Sequence, residues 1–398
     1  MAITVWKKAS FTGIVAICFL SWSILYKRNY FQKVPLSEVA KQQHEEDYFI
    51  QSIWNDTGIQ QKEQHYLENC KKVDRDEKKL LVSIDARGPA LSEKFHFGGC
   101  ENSNCVFRHC LNNFSLALQA DALVFSPNST QLSLLQELPA SVRQRQLWFV
   151  FSEESPAYLH NRFNKIINSF NGSITYSRDS VPAQFPYGYT IKEAANYSAD
   201  INYAQNKTKG AYAYVSNCNS RQYNRLDYMR RLAEYTDVDI FGECTNHQPC
   251  PKKNDPKCEA KMHSQYRFYL AFENSLCKEY ITEKFWKTLK NEKNIIPVAL
   301  GGLSVQEYTD VAPPDSFIHA YNFSSVETLG KYLQYLMTDD NAYNRYFAWR
   351  RNYKVIVDAN TRSVCKLCES INHPKALKST QNRPFADMWN SKQNCKNL

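Results

Sequence analysis

The chain has 398 residues, 43% hydrophobic, 14% aromatic and 22% charged, which excludes a disordered polypeptide and leaves length for two globular domains. A formal net charge of +9 favours anionic partners: nucleic acid, phosphates, or acidic lipid and glycan surfaces. The 13 cysteines make the redox compartment the first question.

Residues 1–8 end in Lys7-Lys8, and the uncharged run Ala9–Tyr26 that follows is closed by Lys27-Arg28. That pattern predicts a membrane span, short enough to fit the thinner bilayers of the early secretory pathway. No small-x-small cleavage site precedes Tyr26, so an anchor is favoured over a cleaved signal peptide. Basic residues flank both ends and cannot orient it. The N-x-Ser/Thr sequons at Asn55, Asn113, Asn128, Asn171, Asn196, Asn206 and Asn322 all follow the run, as does every cysteine except Cys18. Both features belong to an oxidising lumen. A cytosolic tail over 1–8, an anchor over 9–26 and a luminal body are therefore expected, and a lumen holds no nucleic acid.

Residues 27–78 are rich in Gln, Glu, Lys and Asp and read as a stem. Apolar runs then follow, KLLVSID, DALVF and QLWFVF, and a second series, AYAYVS, VDIFG, YRFYLAF and NIIPVAL. Continuous apolar runs of this length predict parallel strands buried on both faces. Helices are expected over Arg221–Tyr235 and Ile281–Lys290. Between the two series, 181–210 holds Pro182, Pro186 and Gly188 and is the least regular stretch. The fold class is α/β: two Rossmann-like units, 79–205 and 206–352, facing a cleft, with a tail over 353–398.

Three segments carry chemistry. LWFVFSEESPAY puts Glu153 and Glu154 directly after a buried strand, a position for a general base; either could instead serve the dipole of a helix opened by Pro156. In VSNCNSRQYNRLDYMRRL, Arg221 and Arg225 lie four apart on one helical face, where a guanidinium fork suits diphosphate oxygens or is simply solvated. In YRFYLAFENSLCKEYITEKFW, a strand runs through a polar turn into a helix capped by Ser275 or Thr282. The free first-turn amides and Lys284 would favour a phosphate, with Glu283 turned to sugar hydroxyls.

These segments, with IPVALGG, Pro313–Ile318 and Tyr346–Arg350, resemble the α1,3-fucosyltransferase family over residues 80–368. The resemblance implies a GT-B type enzyme, with an acceptor glycan containing N-acetylglucosamine on the first domain and GDP-fucose on the second. Glu154 would be the base, and Arg225, Asn274, Tyr280, Glu283 and Lys284 would hold the donor. Arg221 remains a substitute for Arg225, because the spacing from Ser216-Asn217 departs from the family's. The implied reaction is a single inverting displacement, β to α. It needs no obligatory cofactor or metal site, a divalent cation acting only as a stimulant. Asp237-Val238-Asp239 is read as the opening of a strand. The resemblance also implies a Golgi single-pass type II membrane protein. The choice among N-glycan core, antenna and glycolipid acceptors, and the oligomeric state, are not legible.

Cys277 stands where vertebrate members commonly have histidine and is expected to pair with Cys244, Cys250 or Cys258; Cys100, Cys105 and Cys110 read as structural staples. Cys365 and Cys368 have the spacing of a thiol–disulfide exchange motif, which is one rival reading; a structural disulfide is the other. Zinc is disfavoured for want of a second pair. The remaining alternative is a luminal glycan-binding protein of the same fold without catalysis.

Overall fold

The structure, a computed structural model, describes residues 78–83, 97–101, 104–109, 114–127, 140–158, 166–194, 201–220, 223–245, 247–250, 255–290, 294–357, 361–374 and six positions between 387 and 396. The expected anchor, the stem, Arg221, Cys110 and the sequons at Asn55, Asn113, Asn128 and Asn196 lie outside the described residues. No described helix is long and apolar enough to cross a membrane.

β1 (Lys79–Ser83), β2 (Cys105–His109), β3 (Ala122–Phe125), β4 (Leu147–Ser152), β5 (Gly172–Thr175) and β6 (Pro182–Gln184) form one sheet in the order β2-β1-β3-β4-β5-β6. Every pairing in it is parallel. β7 (Gly188–Lys192) leaves that sheet and pairs antiparallel with β13 (Tyr353–Val357). β8 (Lys209–Tyr214), β9 (Val238–Phe241), β10 (Tyr266–Phe272), β11 (Ile296–Leu300) and β12 (Ile318–His319) form a second parallel sheet, β12-β11-β10-β8-β9. In both sheets the first two strands run one way across the sheet and the later ones the other. The order reverses between β1 and β3 and between β8 and β10. Ligands of open parallel sheets bind beyond the carboxyl ends of the strands at such a reversal.

The apolar runs are continuous because both sheet faces are covered. Leu80, Val82, Phe125, Trp148 and Val150 pack on one side of the first sheet, and Leu81, Val124, Phe149 and Phe151 on the other. In the second, Phe268, Leu270 and Phe272 meet Leu329, Leu333 and Leu336 of the helix Val326–Thr338. Ala271 and Ala299 face the opposite way, onto Phe285 and Trp286 of the helix Glu283–Leu289.

The segment expected as a tail is structured. After β13, the helix Thr361–Asn372 lays Val364, Leu367 and Ile371 on the first sheet. Two disulfides tie it down, Cys100–Cys365 and Cys105–Cys368. This corrects the reading of Cys365 and Cys368 as one pair: three residues apart on a helix, Cys368 bonds Cys105 on β2 and Cys365 bonds Cys100 in the segment ahead of it. Replacing Cys105 and Cys368 together by serine should cost about 2–5 kcal/mol of stability, read by denaturant unfolding, because the bond closes a long loop.

Cys277 is also corrected. It bonds Cys395, while Cys218 pairs with Cys244 and Cys250 with Cys258. The chain at Cys277 turns away from the cysteine-rich insert and enters the core of the first sheet beside Trp148 and Trp389.

Lys207, ahead of β8, is 6% exposed and donates to the carbonyls of His263 and Tyr266. Burial first, and Arg267 second, lower its pKa to about 8. The unfolded chain holds that proton up to about pH 10. Between pH 8 and 10 the unfolded state therefore binds more protons, and stability rises with pH by up to about 1.4 kcal/mol per unit. Lys207→Met should flatten that slope in unfolding measured across the window.

Candidate functional site

Three loops leave the carboxyl ends of β4, β8 and β10 and meet. The β4 loop carries Glu153–Tyr158, and its turn is set by the Ser152 hydroxyl, which donates to the Glu154 carbonyl (3.0 Å). The Ser155 and Ser275 hydroxyls, 2.6 Å apart and buried, join this loop to the one after β10. The Tyr158 hydroxyl donates to the Asn274 carbonyl (3.2 Å) and accepts from Asn217 Nδ2 (3.3 Å), which brings in the loop after β8.

Glu154 sits at this junction, half-buried. The Tyr280 hydroxyl donates to its Oε2 at 3.2 Å, and Asn274 Nδ2 stands 3.5 Å from the same oxygen. Tyr280 is 1% exposed, and burial, then nearby Tyr187 and Glu154, raises its pKa well above the usual value, so the phenol stays a donor. Oε1 engages no described residue.

Arg225 opens the helix Arg225–Leu232, capped by Asn224. It is 3% exposed and donates to the carbonyls of Asn217 (2.7 Å) and Phe272 (3.2 Å). Phe272 ends β10 and Asn217 lies in the loop after β8, the two strands flanking the reversal, so Arg225 straps the walls of the crevice together. Its Nε is buried and has no partner among the described residues.

The sequence reading offers the amides at the start of the helix Glu283–Leu289 to a phosphate. In the structure Glu273 takes that position: its carboxylate accepts from the Thr282 amide (2.8 Å) and hydroxyl (2.7 Å). Thr282 in turn caps Lys284. Lys284 Nζ lies 3.4 Å from Glu273 and 3.0 Å from Glu283. Burial alone would lower the Lys284 pKa, but Glu273 and Glu283 raise it overall, so the ammonium is held charged. For Glu283 burial pushes upward, yet Lys284 brings the carboxyl below its usual value. Glu273, fully buried, is pushed up by burial against the pull of Lys284. Glu273 belongs to the FENS turn, yet nothing in that sequence marks it as the partner of the Thr282 amide.

The crevice is closed toward β11 by Gly301-Gly302. A Cβ on Gly301 would lie 2.5 Å from the Tyr308 hydroxyl and 2.6 Å from Glu273 Cγ, and Gly302 has φ +62°, so glycine is required at both. Asp237 and Asp239 lie elsewhere, at the start of β9. Asp237 accepts from the Gly210 amide, and Asp239 pairs with Lys209 and Tyr266. Among the described residues no group of three or more His, Cys, Asp or Glu could hold a metal ion. Of the described sequons, Asn206 and Asn322 are exposed, whereas the Asn171 side chain accepts from the Trp148 amide (2.8 Å).

Two family profiles match the chain. The C-terminal part of glycosyltransferase family 10 (fucosyltransferase) matches residues 204–384, and the fucosyltransferase N-terminal profile residues 75–188. Glycoprotein 3-alpha-L-fucosyltransferase A of Drosophila melanogaster is 34% identical over 67% of this chain and 51% of its own length. Alpha-(1,3)-fucosyltransferase fut-1 of Caenorhabditis elegans is 33% identical over 70% of this chain and 60% of its own. This chain thus spans little more than half of those two proteins. Alpha-(1,3)-fucosyltransferase C of Drosophila melanogaster is 31% identical over 75% of this chain and 72% of its own length. A crystal structure of an α1,3-fucosyltransferase with GDP superposes with a TM-score of 0.49 at 16% identity, covering 80% of this chain and 96% of that one.

Proposed function

This chain belongs to the fucosyltransferases of glycosyltransferase family 10, and from that premise we propose that it transfers L-fucose from GDP-fucose, in α1,3 linkage, to N-acetylglucosamine units of glycans. The observation that carries the reading is the junction of the β4, β8 and β10 loops. A half-buried carboxylate, Glu154, there stands beside the reversal crevice, with its Oε1 unengaged by any described residue.

In this reading the acceptor hydroxyl attacks the anomeric carbon from the face opposite GDP. Glu154 Oε1 takes the hydroxyl proton as the new bond forms. The bond from the anomeric carbon to the diphosphate breaks, and its electron pair leaves with GDP. Tyr280 and Asn274 hold Oε2, fixing the direction of Oε1. Lys284 supplies charge to the diphosphate, and Glu283, its side chain 44% exposed, meets sugar or ribose hydroxyls. Arg225 acts by fixing the crevice walls and by the charge behind them. The two parallel sheets support a GT-B arrangement with the acceptor on the first and the donor on the second.

The five described disulfides support a luminal body. With the Ala9–Tyr26 run as anchor, the protein is read as a type II membrane protein of the Golgi. The reaction course is tested by the anomeric configuration of the product, read by NMR coupling constants. An α1,3-linked fucose is expected; a β product would overturn the direct displacement.

A further inference from the structure

Two crossed ion pairs join the turn after β5 to the segment after β10. Arg178 Nε lies 2.7 Å from Glu279 Oε1, and Lys278 Nζ lies 3.0 Å from Asp179 Oδ2. Arg178, Lys278 and Asp179 are each more than a third exposed, and such pairs contribute little by themselves. Glu279 differs. Its side chain is 9% exposed, and its Oε2 also accepts from the Ser177 hydroxyl (3.0 Å) and the Arg178 amide (2.9 Å). Its own amide donates to Glu307 Oε2 (2.8 Å), which accepts the Leu303 amide as well (3.1 Å), beside the Gly301-Gly302 turn. Glu279 has φ +59°, a conformation costly for a residue with a Cβ, and it is pinned there from both sides. The next residue is Tyr280.

We propose that Glu279 is a positioning residue: it latches the segment after β10 onto the Ser177-Arg178 turn and thereby holds the Tyr280 hydroxyl on Glu154. The proposal rests on Glu154 being the base. Glu307 and Ser177 are the two anchor points, and the strained backbone between them fixes where Tyr280 emerges.

The latch has a signature that stability alone lacks. The Ser177 hydroxyl and the Arg178 amide donate to one carboxylate oxygen of Glu279, so an amide side chain of the same shape keeps both bonds without the charge. Losing the acceptor should therefore free the backbone ahead of Tyr280, and losing the charge alone should not.

The experiment compares Glu279→Ala, Glu279→Gln and Glu154→Gln in the full chain, with kcat normalised to GDP-binding sites. Glu279→Ala should lose about tenfold in kcat and keep its KM for GDP-fucose. Glu279→Gln, which still accepts from Ser177 and Arg178, should retain most of kcat. Amide exchange at residues 279–282 should speed up in Glu279→Ala alone, a readout that needs no turnover. Unchanged exchange in Glu279→Ala, or an equal loss of kcat in Glu279→Gln, would overturn the latch. Transfer that survives Glu154→Gln would instead overturn Glu154 as the base, and the two failures are thus distinguishable.

Discussion

Glu154→Gln is expected to lower fucose transfer by about 100- to 10,000-fold, the range that a positioned general base contributes, while leaving GDP-fucose affinity unchanged. Glutamine keeps an acceptor for the Tyr280 hydroxyl, 3.2 Å from Glu154, so the loop junction survives the substitution. The loss should fall on kcat, because the missing interaction is made only as the acceptor proton moves. Isothermal titration with GDP, run beside steady-state transfer, separates the two. A parallel fall in GDP affinity would mean that the side chain organises the donor site.

Lys284→Met should have two effects that a second substitution pulls apart. It strips the one cation that pairs with Glu273 among the described residues, and that carboxylate is fully buried. An uncompensated buried charge of this kind costs about 3–5 kcal/mol. The sign of the pH dependence follows from Glu273. Its pKa is already raised by burial against the pull of Lys284, and without Lys284 it rises further. The folded variant then binds a proton that the unfolded chain has released, so its stability increases as pH falls from neutrality through that raised pKa. Adding Glu273→Gln should restore much of the stability, since glutamine still accepts from the Thr282 amide. It should not restore donor affinity, which is expected to fall about 10- to 100-fold with the loss of a charged hydrogen bond to the diphosphate. Thermal unfolding and GDP titration of the single and double variants check both halves.

The runs KLLVS, ALVF, LWFVFS, KGAYAY, YRFYLAF and IPVAL were legible as strands because both faces of their sheets are covered, and VDIF, a partly buried edge strand, was legible from its apolar run alone; all are strands in the structure. β2 escaped notice as an edge strand: CVFRH buries only alternate residues and carries Arg108. β5 escaped because GSIT holds a single large apolar side chain, although all four residues are buried. The expected helix over Arg221–Tyr235 narrows to Arg225–Leu232, since Asn224 caps it. In the site, the adjacency of Glu283 and Lys284 was legible, but the occupant of the helix N-terminus was not. Glu273 lies nine residues before Thr282, and only the turn between them brings its carboxylate back to that amide. Cysteine partners were illegible for the same reason: Cys277 bonds Cys395, 118 residues on, and no spacing rule reaches that far. Nor does the sequence reveal the positive φ of Glu279, a position where glycine or asparagine would be expected.

The most direct measurement is fucose transfer from GDP-fucose by the full chain to a panel of N-acetylglucosamine-containing glycans, beside the Glu154→Gln variant. The account predicts an α1,3-fucosylated product from the native chain and a near-complete loss in the variant, with GDP still bound. Equal transfer by both proteins, or no GDP-fucose binding by the folded native chain, would contradict it.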